Sequence, residues 1–418
     1  MTFPRALLGI AILIGLAWLL SWDRRRIPWR TVVGGVLLQV VVVFTIAKTD
    51  TGQAFFRGAA TFVSKLVSMA VPGAEMVFGG LARPTETLGF VFAFAGTGLV
   101  LIIFISALMS VLYHLGVMQL LVWALAKVMS RMMGLSGGES MAAAANILMG
   151  QTEAPLVVKP YLAVMTKSEI NALMIGGFAT IAGSVMAVYM TVLGPELAPH
   201  LITASVMSAP ASFVIAKIVL PEREISVTSG SLPLRFDKSA GNVIEAAANG
   251  TSDGLRLWLN VIAMLIAFVG LVALINWPLQ SLGEWMQIDG GLSLQRILGF
   301  VFAPIAWVVG VEGWHDCQIV GGLMGTQISL NEFVAYQGLA QTIQATDPAL
   351  MLQDPRSAKL AAYALCGFAN FSSIGIQLGG ISALIPERKG ELSKLAFRAM
   401  LGGALACWMT ATIAGAFL

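Results

Sequence analysis

Residues 140–158 read SMAAAANILMGQTEAPLVV, and the fold turns on what they do. A run of small apolar residues stops at Gly150, Gln151, Thr152 and Glu153, and Pro155 opens a second apolar run. Gly suits a helix end, and Pro suits the first turn of the next helix, where its missing amide hydrogen costs nothing. The pattern predicts two half-helices joined at a polar tip. A carboxylate at membrane depth is expensive, so function is the default expectation for Glu153. Capping or pairing within the hairpin is the plainer alternative.

Composition places that tip in lipid. The chain has 418 residues, 57% hydrophobic and 11% charged, with a mean hydropathy of +0.83. An ordinary soluble domain carries roughly 25% charged residues. A soluble enzyme, a disordered chain and a collagen-like polymer are all disfavoured. The net charge, 25 − 22 = +3, forms no basic stripe, so nucleic acid is not an expected partner. Cys317, Cys366 and Cys407 sit in or beside apolar stretches without metal-ligand spacing and read as small buried hydrophobes. None of His114, His200 and His315 has the neighbours of a nucleophile–base pair. No catalytic residue and no organic cofactor is therefore expected.

The fold class expected is an all-α polytopic membrane protein. A span needs about 20 apolar residues. Residues 5–22, 31–47, 88–115, 169–193, 200–220, 255–277, 358–385 and 395–417 qualify, giving about eight transmembrane helices. The first has no small-residue cleavage site, and its basic cluster follows it, so it reads as a retained helix rather than a signal peptide. Arg24, Arg25, Arg26 and Arg30 in one loop, and Arg388, Lys389, Lys394 and Arg398 in another, place those loops inside and both termini outside. Residues 48–87 carry four basic residues on the nominal outer side. Within 51–70, Phe55, Ala59, Phe62, Val63, Leu66 and Ala70 recur at helical spacing opposite Arg57 and Lys65. That is the pattern of an interfacial helix with snorkelling cations. Residues 235–250 are its expected counterpart.

The second half repeats the plan. Glu139 precedes the first small-residue run, and Asp316 precedes CQIVGGLMGTQISL (317–330), which breaks at Asn331 and Glu332. Each hairpin is followed by an interrupted span, ATIAGS at 179–184 and NFSSIG at 370–375. Residues 292–312 could cross alone, but this would put the basic loop 386–398 outside. Residues 292–343 are therefore expected to enter and leave from the outer side. With three spans between the hairpins, the two re-entrant hairpins are oppositely oriented. Interrupted segments in corresponding halves mark an inverted-repeat secondary transporter. The domains expected are residues 1–50, two scaffold helices; 51–220, the first repeat with its tip at 150–155; and 221–418, the second with its tip at 331–333.

The four breaks carry neutral polar groups, two acids and no basic residue. Gln151 and Thr152 donate and accept, an ionised Glu332 accepts hydroxyl donors, and Asn370, Ser372 and Ser373 add neutral groups. A neutral solute rich in hydroxyls and amides fits, and an anionic one does not. Asn146, Thr180 and the carbonyls freed near Met149 and Ile181 form a second, uncharged oxygen set. It suits sodium or, equally, hydrogen bonds between packed helices.

GQTEAPLVV (150–158), NEFVAY (331–336) and CGFANFSSIGI (366–376) closely resemble the signatures of the concentrative nucleoside transporter family, and their order matches over about residues 4–417. The chain looks like a bacterial, eight-span, sodium-coupled member. The resemblance implies uptake of nucleosides such as uridine across the inner membrane by a homotrimer in the lipid bilayer. Each protomer would have a scaffold and a transport domain that moves as an elevator. It assigns Gln151, Thr152 and Glu153 to the nucleobase, with Val185 and Phe368 as apolar contacts. Glu332, Asn370 and Ser373 take the ribose hydroxyls. It assigns Asn146, the Met149 carbonyl, Thr180 and the Ile181 carbonyl to sodium. Proton coupling, or another neutral polar solute, is the alternative. Three departures stand out: Gln327 where relatives often have Lys, an altered stretch at 95–99, and an extra residue near Gly313.

Overall fold

The computed structural model describes residues 2–82, 99–228, 240–288 and 291–418, and every regular element among them is helical. Three helices lead: α1 (Phe3–Leu19), α2 (Trp29–Lys48) and α3 (Asp50–Phe78). The first repeat follows as α4 (Leu101–His114), α5 (Val117–Met133), α6 (Gly137–Leu148), α7 (Ala154–Val157), α8 (Lys159–Leu162), α9 (Lys167–Ala179), α10 (Gly183–Leu193) and α11 (Ala198–Val219). The second comprises α12 (Val243–Trp285), α13 (Leu294–Val309), α14 (Trp314–Ser329), α15 (Glu332–Gln344), α16 (Pro355–Ala364), α17 (Phe371–Leu384) and α18 (Lys389–Gly415).

Seven of the eight expected spans, and the described part of the third, are occupied by helix. Five helical stretches among the described residues, one of them α9 and α10 together, are long and apolar enough to cross a membrane, or up to seven if each sharply bent pair is one span. At 17 residues α1 falls just short, and α16 and α17 are halves separated by a break. Both hairpins break where expected, α6 from α7 at the first tip and α14 from α15 at the second. The spans after them break between α9 and α10 and between α16 and α17. In each repeat a bend precedes the hairpin, 76° between α4 and α5 and 108° between α13 and α14. The second bend keeps α13 from continuing straight into the hairpin, and the two helices lie against each other.

Two expectations change. Residues 235–239 lie outside the described residues, and from Val243 onward the stretch forms the first turns of α12, which runs unbroken for 43 residues, rather than a separate helix. Gly250 and Gly254 face α4 so closely that a Cβ at Gly250 would lie 2.6 Å from Ser106 O, and one at Gly254 2.7 Å from Ile103 Cα. A small residue every fourth position lets two helix backbones touch. The helix expected over 51–70 extends to Phe78, long enough to cross, and Phe55 and Phe62 point away from the protein. The 88–98 part of the third expected span, and with it most of the altered 95–99 stretch, lies outside the described residues.

Helices α1 and α2 pack on α11 and α18, whereas α12 packs mainly on α4. The loop after α1 is tied to the loop after α11 by Asp23 and Arg223, 2.7 Å apart, and that guanidinium holds the Asp23 carboxyl below its usual range.

The acids that open the hairpins clasp their bases. In the first repeat Ser136 and Glu139 form a reciprocal cap on α6, and Thr166 and Glu169 form the same cap on α9. Lys217, near the end of α11, meets Glu139 at 2.6 Å and Ser168 Oγ at 3.0 Å. In the second repeat Asp316 accepts the backbone amides of Gln353 and Asp354 at 2.9 and 3.1 Å. Arg356 pairs with Glu312 and donates to the Gly415 carbonyl at the end of α18. Glu139 is only 3% exposed. Lys217→Met should therefore cost about 3–5 kcal/mol, because a buried carboxylate loses its cation. Thermal unfolding in detergent measures this. The double variant Glu139→Gln/Lys217→Met should cost less than the sum of its singles, and strict additivity would show that the pair does not act as a unit.

Candidate functional site

A cavity of about 900 Å³ lies between the hairpin tips, the two broken spans and the α4–α12 pair. Gln151, Thr152, Glu153, Val185, Glu332, Phe368, Asn370 and Ser373 all line it. They come from four elements distant in sequence, and the breaks bring them together. At the second tip Asn331 caps α15 by accepting from Val334 N at 2.9 Å. Asn370 likewise caps α17, accepting from Ser373 N at 2.9 Å. Each cap starts a helix at membrane depth and leaves the next residues facing the cavity.

Glu332 sits at the centre, 6% exposed. Tyr189 Oη donates to its Oε1 at 2.7 Å, and Asn370 Nδ2 donates to its Oε2 at 2.9 Å. A carboxylate has about four acceptor positions. Two donors leave room for hydroxyl donors from a ligand. At the first tip Gln151 Nε2 donates to Ser373 Oγ at 3.2 Å, joining the hairpin to α17. Glu153 accepts only weakly from Gly150 N, at 3.4 Å, and with Thr152 it opens onto the cavity.

Asn146 is 1% exposed, and neither atom of its side-chain amide has a hydrogen-bond partner. Thr180 Oγ1 donates within its own helix to Gly176 O at 2.9 Å. Neither side chain makes the helix-to-helix bond that was the alternative expectation. The backbone is extended at Met149 (φ −113°, ψ 164°) and at Thr180 (φ −123°, ψ 163°), which turns the chain out of α6 and α9 beside them. An unpartnered buried amide next to two helix breaks fits an oxygen-liganded cation.

Several side-chain roles were not legible in advance. Tyr189 binds Glu332 across 143 residues of sequence, and only the question of which donor satisfies a buried acid would have raised it. Gln377 donates to Gln151 Oε1 at 3.1 Å and to Met174 O at 3.0 Å. Gln327 donates to the carbonyls of Leu365 and Gly367 at 3.1 and 2.7 Å, holding the break of the last interrupted span from the hairpin arm. The breaks themselves lack basic residues, as expected, but the cavity does not. Lys159 lines it from the first hairpin, and Asp253, Arg256 and Asn260 line it from α12.

Comparison with known proteins gives one answer along the whole chain. The description "Na+ dependent nucleoside transporter C-terminus" matches residues 200–415, its N-terminal companion matches residues 8–81, and "Nucleoside recognition" matches residues 97–196. The chain is 44% identical to an uncharacterized transporter of Haemophilus influenzae, over 100% of this chain and 98% of the relative. It is 40% identical to the nucleoside permease NupC of Helicobacter pylori, over 99% and 97%. It is also 40% identical to sodium/nucleoside cotransporter 1 of Rattus norvegicus, over 97% of this chain and 62% of that one. Among solved structures, CNTnw in an inward-facing, substrate-bound state matches with a TM-score of 0.89 at 40% identity, over 99% and 98% of the two chains. An outward-facing CNTnw variant matches with a TM-score of 0.91 at 40% identity, over 99% and 97%. With this fold, these matched segments and bacterial relatives this similar over nearly their full length, the chain belongs to the Na+-dependent, concentrative nucleoside transporter family.

Proposed function

We propose that the protein is a secondary symporter that takes nucleosides such as uridine across the bacterial inner membrane, driven by a sodium gradient. The observation that carries the proposal is the convergence of both hairpin tips and both broken spans on one cavity with Glu332 at its centre. In this reading the ribose hydroxyls donate to the free acceptor positions of Glu332 and bond to Asn370 and Ser373. The nucleobase lies against Val185 and Phe368, with its polar edge toward Gln151, Thr152 and Glu153. Sodium takes the Asn146 side chain, the Thr180 hydroxyl and the carbonyls of Met149 and Ile181.

We further read the cycle as an elevator. The α4–α12 pair is the fixed wall, with the tips and broken spans of the 51–220 and 221–418 repeats moving past it. One relative, CNTnw, captured in inward-facing, outward-facing and intermediate states, supports alternating access. The arginine and lysine loops support termini on the periplasmic side. A homotrimer completes the proposal, and cross-linking of the purified protein tests it.

Reconstituted vesicles test the coupling. Labelled uridine should accumulate under an inward sodium gradient and stay at equilibrium without one. Accumulation that ignores sodium and follows an imposed proton gradient would establish proton coupling instead. Failure of excess unlabelled nucleosides to compete would point to another neutral solute. For the site, Glu332→Gln should weaken uridine binding at least about tenfold, because hydrogen bonds to a charged group contribute about 1.5–3 kcal/mol. Tyr189→Phe keeps the ring packed on Tyr336 but releases Glu332 from its donor. A smaller loss, about three- to tenfold, is expected there, with the melting temperature nearly unchanged. Unaltered affinity in both variants, measured by calorimetry, would remove Glu332 from the binding site.

A further inference from the structure

In any symporter the ion must change how tightly the solute is held. The two proposed sites are separated here by one turn of α9. A Cβ at Gly176 would lie 3.2 Å from Asn146 Nδ2, so this residue lies against the ion-side amide. A Cβ at the next residue, Gly177, would lie 2.6 Å from Gln377 Nε2 and 3.1 Å from Gln151 Cβ, so it lies against the solute-side amides. Thr180 Oγ1 reaches back to Gly176 O, tying the break to the same turn. Gln377 is 1% exposed, and its amide group donates both to Met174 O on α9 and to Gln151 Oε1 on the hairpin tip. Gln151 in turn donates to Ser373. A hydrogen-bonded path thus runs from α9 through Gln377 and Gln151 to α17.

We propose that Gln377 is the positioning residue through which sodium occupancy sets nucleoside affinity. The proposal rests on the symport reading above and assigns it a mechanism. Asn146 and Gln151 belong to the same hairpin, five residues apart. A cation that draws Asn146 toward Thr180 fixes the tip against α9. Gln377, held to α9 by Met174 O, then meets Gln151 in the orientation that presents the rest of the Gln151 amide to the base. Without the cation, Asn146 has nothing to hold, and the tip is registered to α9 at this point by the Gln377–Gln151 bond alone. The coupling is reciprocal, so nucleoside binding tightens sodium binding by the same factor. The glycine pair is part of the device, because a Cβ at Gly177 would push the Gln377 amide aside and one at Gly176 would crowd the Asn146 amide.

Uridine binding to the purified full-length protein, measured by calorimetry in sodium chloride and in choline chloride, tests the assignment. The wild type should bind at least about tenfold tighter in sodium, within the range usual for coupled sites. In Gln377→Met, of similar length but without donors, the ratio should fall below about twofold while sodium alone still raises the melting temperature. Gln377→Glu, which sets an acceptor against two acceptor oxygens, should do the same. A ratio that stays near the wild-type value overturns the proposal. So does an equal loss of affinity in both salts, which would mark Gln377 as a merely structural residue. Should both substitutions prevent folding, Gly177→Ala carries the test, since it displaces the far end of Gln377 and removes no polar atom. An unchanged ratio in that variant overturns the proposal too. A wild-type ratio of one would overturn the sodium reading itself, and the coupling with it.

Discussion

A chain in hydrocarbon cannot leave the helical state unless something else binds the backbone groups it exposes. That constraint governs this protein, which interrupts its helices at two hairpin tips and in two spans. Much of the answer is small polar side chains acting as caps. Asn331 and Asn370 each accept an amide three residues on, at the start of a half-helix. At the outer ends of the same segments, Ser136, Thr166 and Asp354 do equivalent work. The caps satisfy orphan amides and also decide where the following residues point. Glu332 immediately follows its cap, and Ser373 is the residue whose amide the Asn370 cap binds. Binding geometry and helix initiation are therefore one arrangement.

The two repeats meet the same mechanical need by different chemistry. Each hairpin base must be held to the span that follows it, or the tip would not stay registered with the rest of the site. The first repeat buries an ion pair, Lys217 with Glu139, among the caps of α6 and α9. The second uses Asp316 on backbone amides and Arg356 on Glu312 and on the end of α18. In both, a basic residue near the outer end of a span reaches toward the hairpin's base. A buried pair is costly to desolvate and strongly destabilising to break, and so it suits a fixed joint better than a moving one. The hairpins are anchored at their bases and converge at their tips.

Local features were legible and distant pairings were not. The breaks at Gly150–Glu153 and Asn331–Glu332 were visible because polar residues interrupt apolar runs, and the acids Glu139 and Asp316 were visible because charge is scarce. The α12 boundary misled because AAANGTSD looks like water-facing sequence. Only contact with α4 explains why Gly250 and Gly254 belong inside a long helix. Tyr189 and Gln377 left no local signal at all. Each sits in an apolar helix as an ordinary residue, and its role exists only once a segment more than a hundred residues away is brought within about 3 Å. Sequence periodicity reports which face of a helix is buried, but not which atom waits on the other side.

The cations on the cavity wall sharpen the question of why the solute should be neutral. Lys159 and Arg256 could attract an anion into the cavity, and the wall alone would not reject one. In the proposed site, rejection comes deeper. A phosphorylated or carboxylate ligand seated at the tips would set its charge against Glu332, and against Glu153 at the first tip. Such like-charge contacts are costly where water is scarce. A hydroxyl at the same place gains a hydrogen bond from the very group that repels the anion. In the site proposed above, Glu332 thus selects twice with one carboxylate, by accepting from a ribose and by refusing a phosphate. The Tyr189 and Asn370 donors keep that carboxylate in a single orientation while it does so.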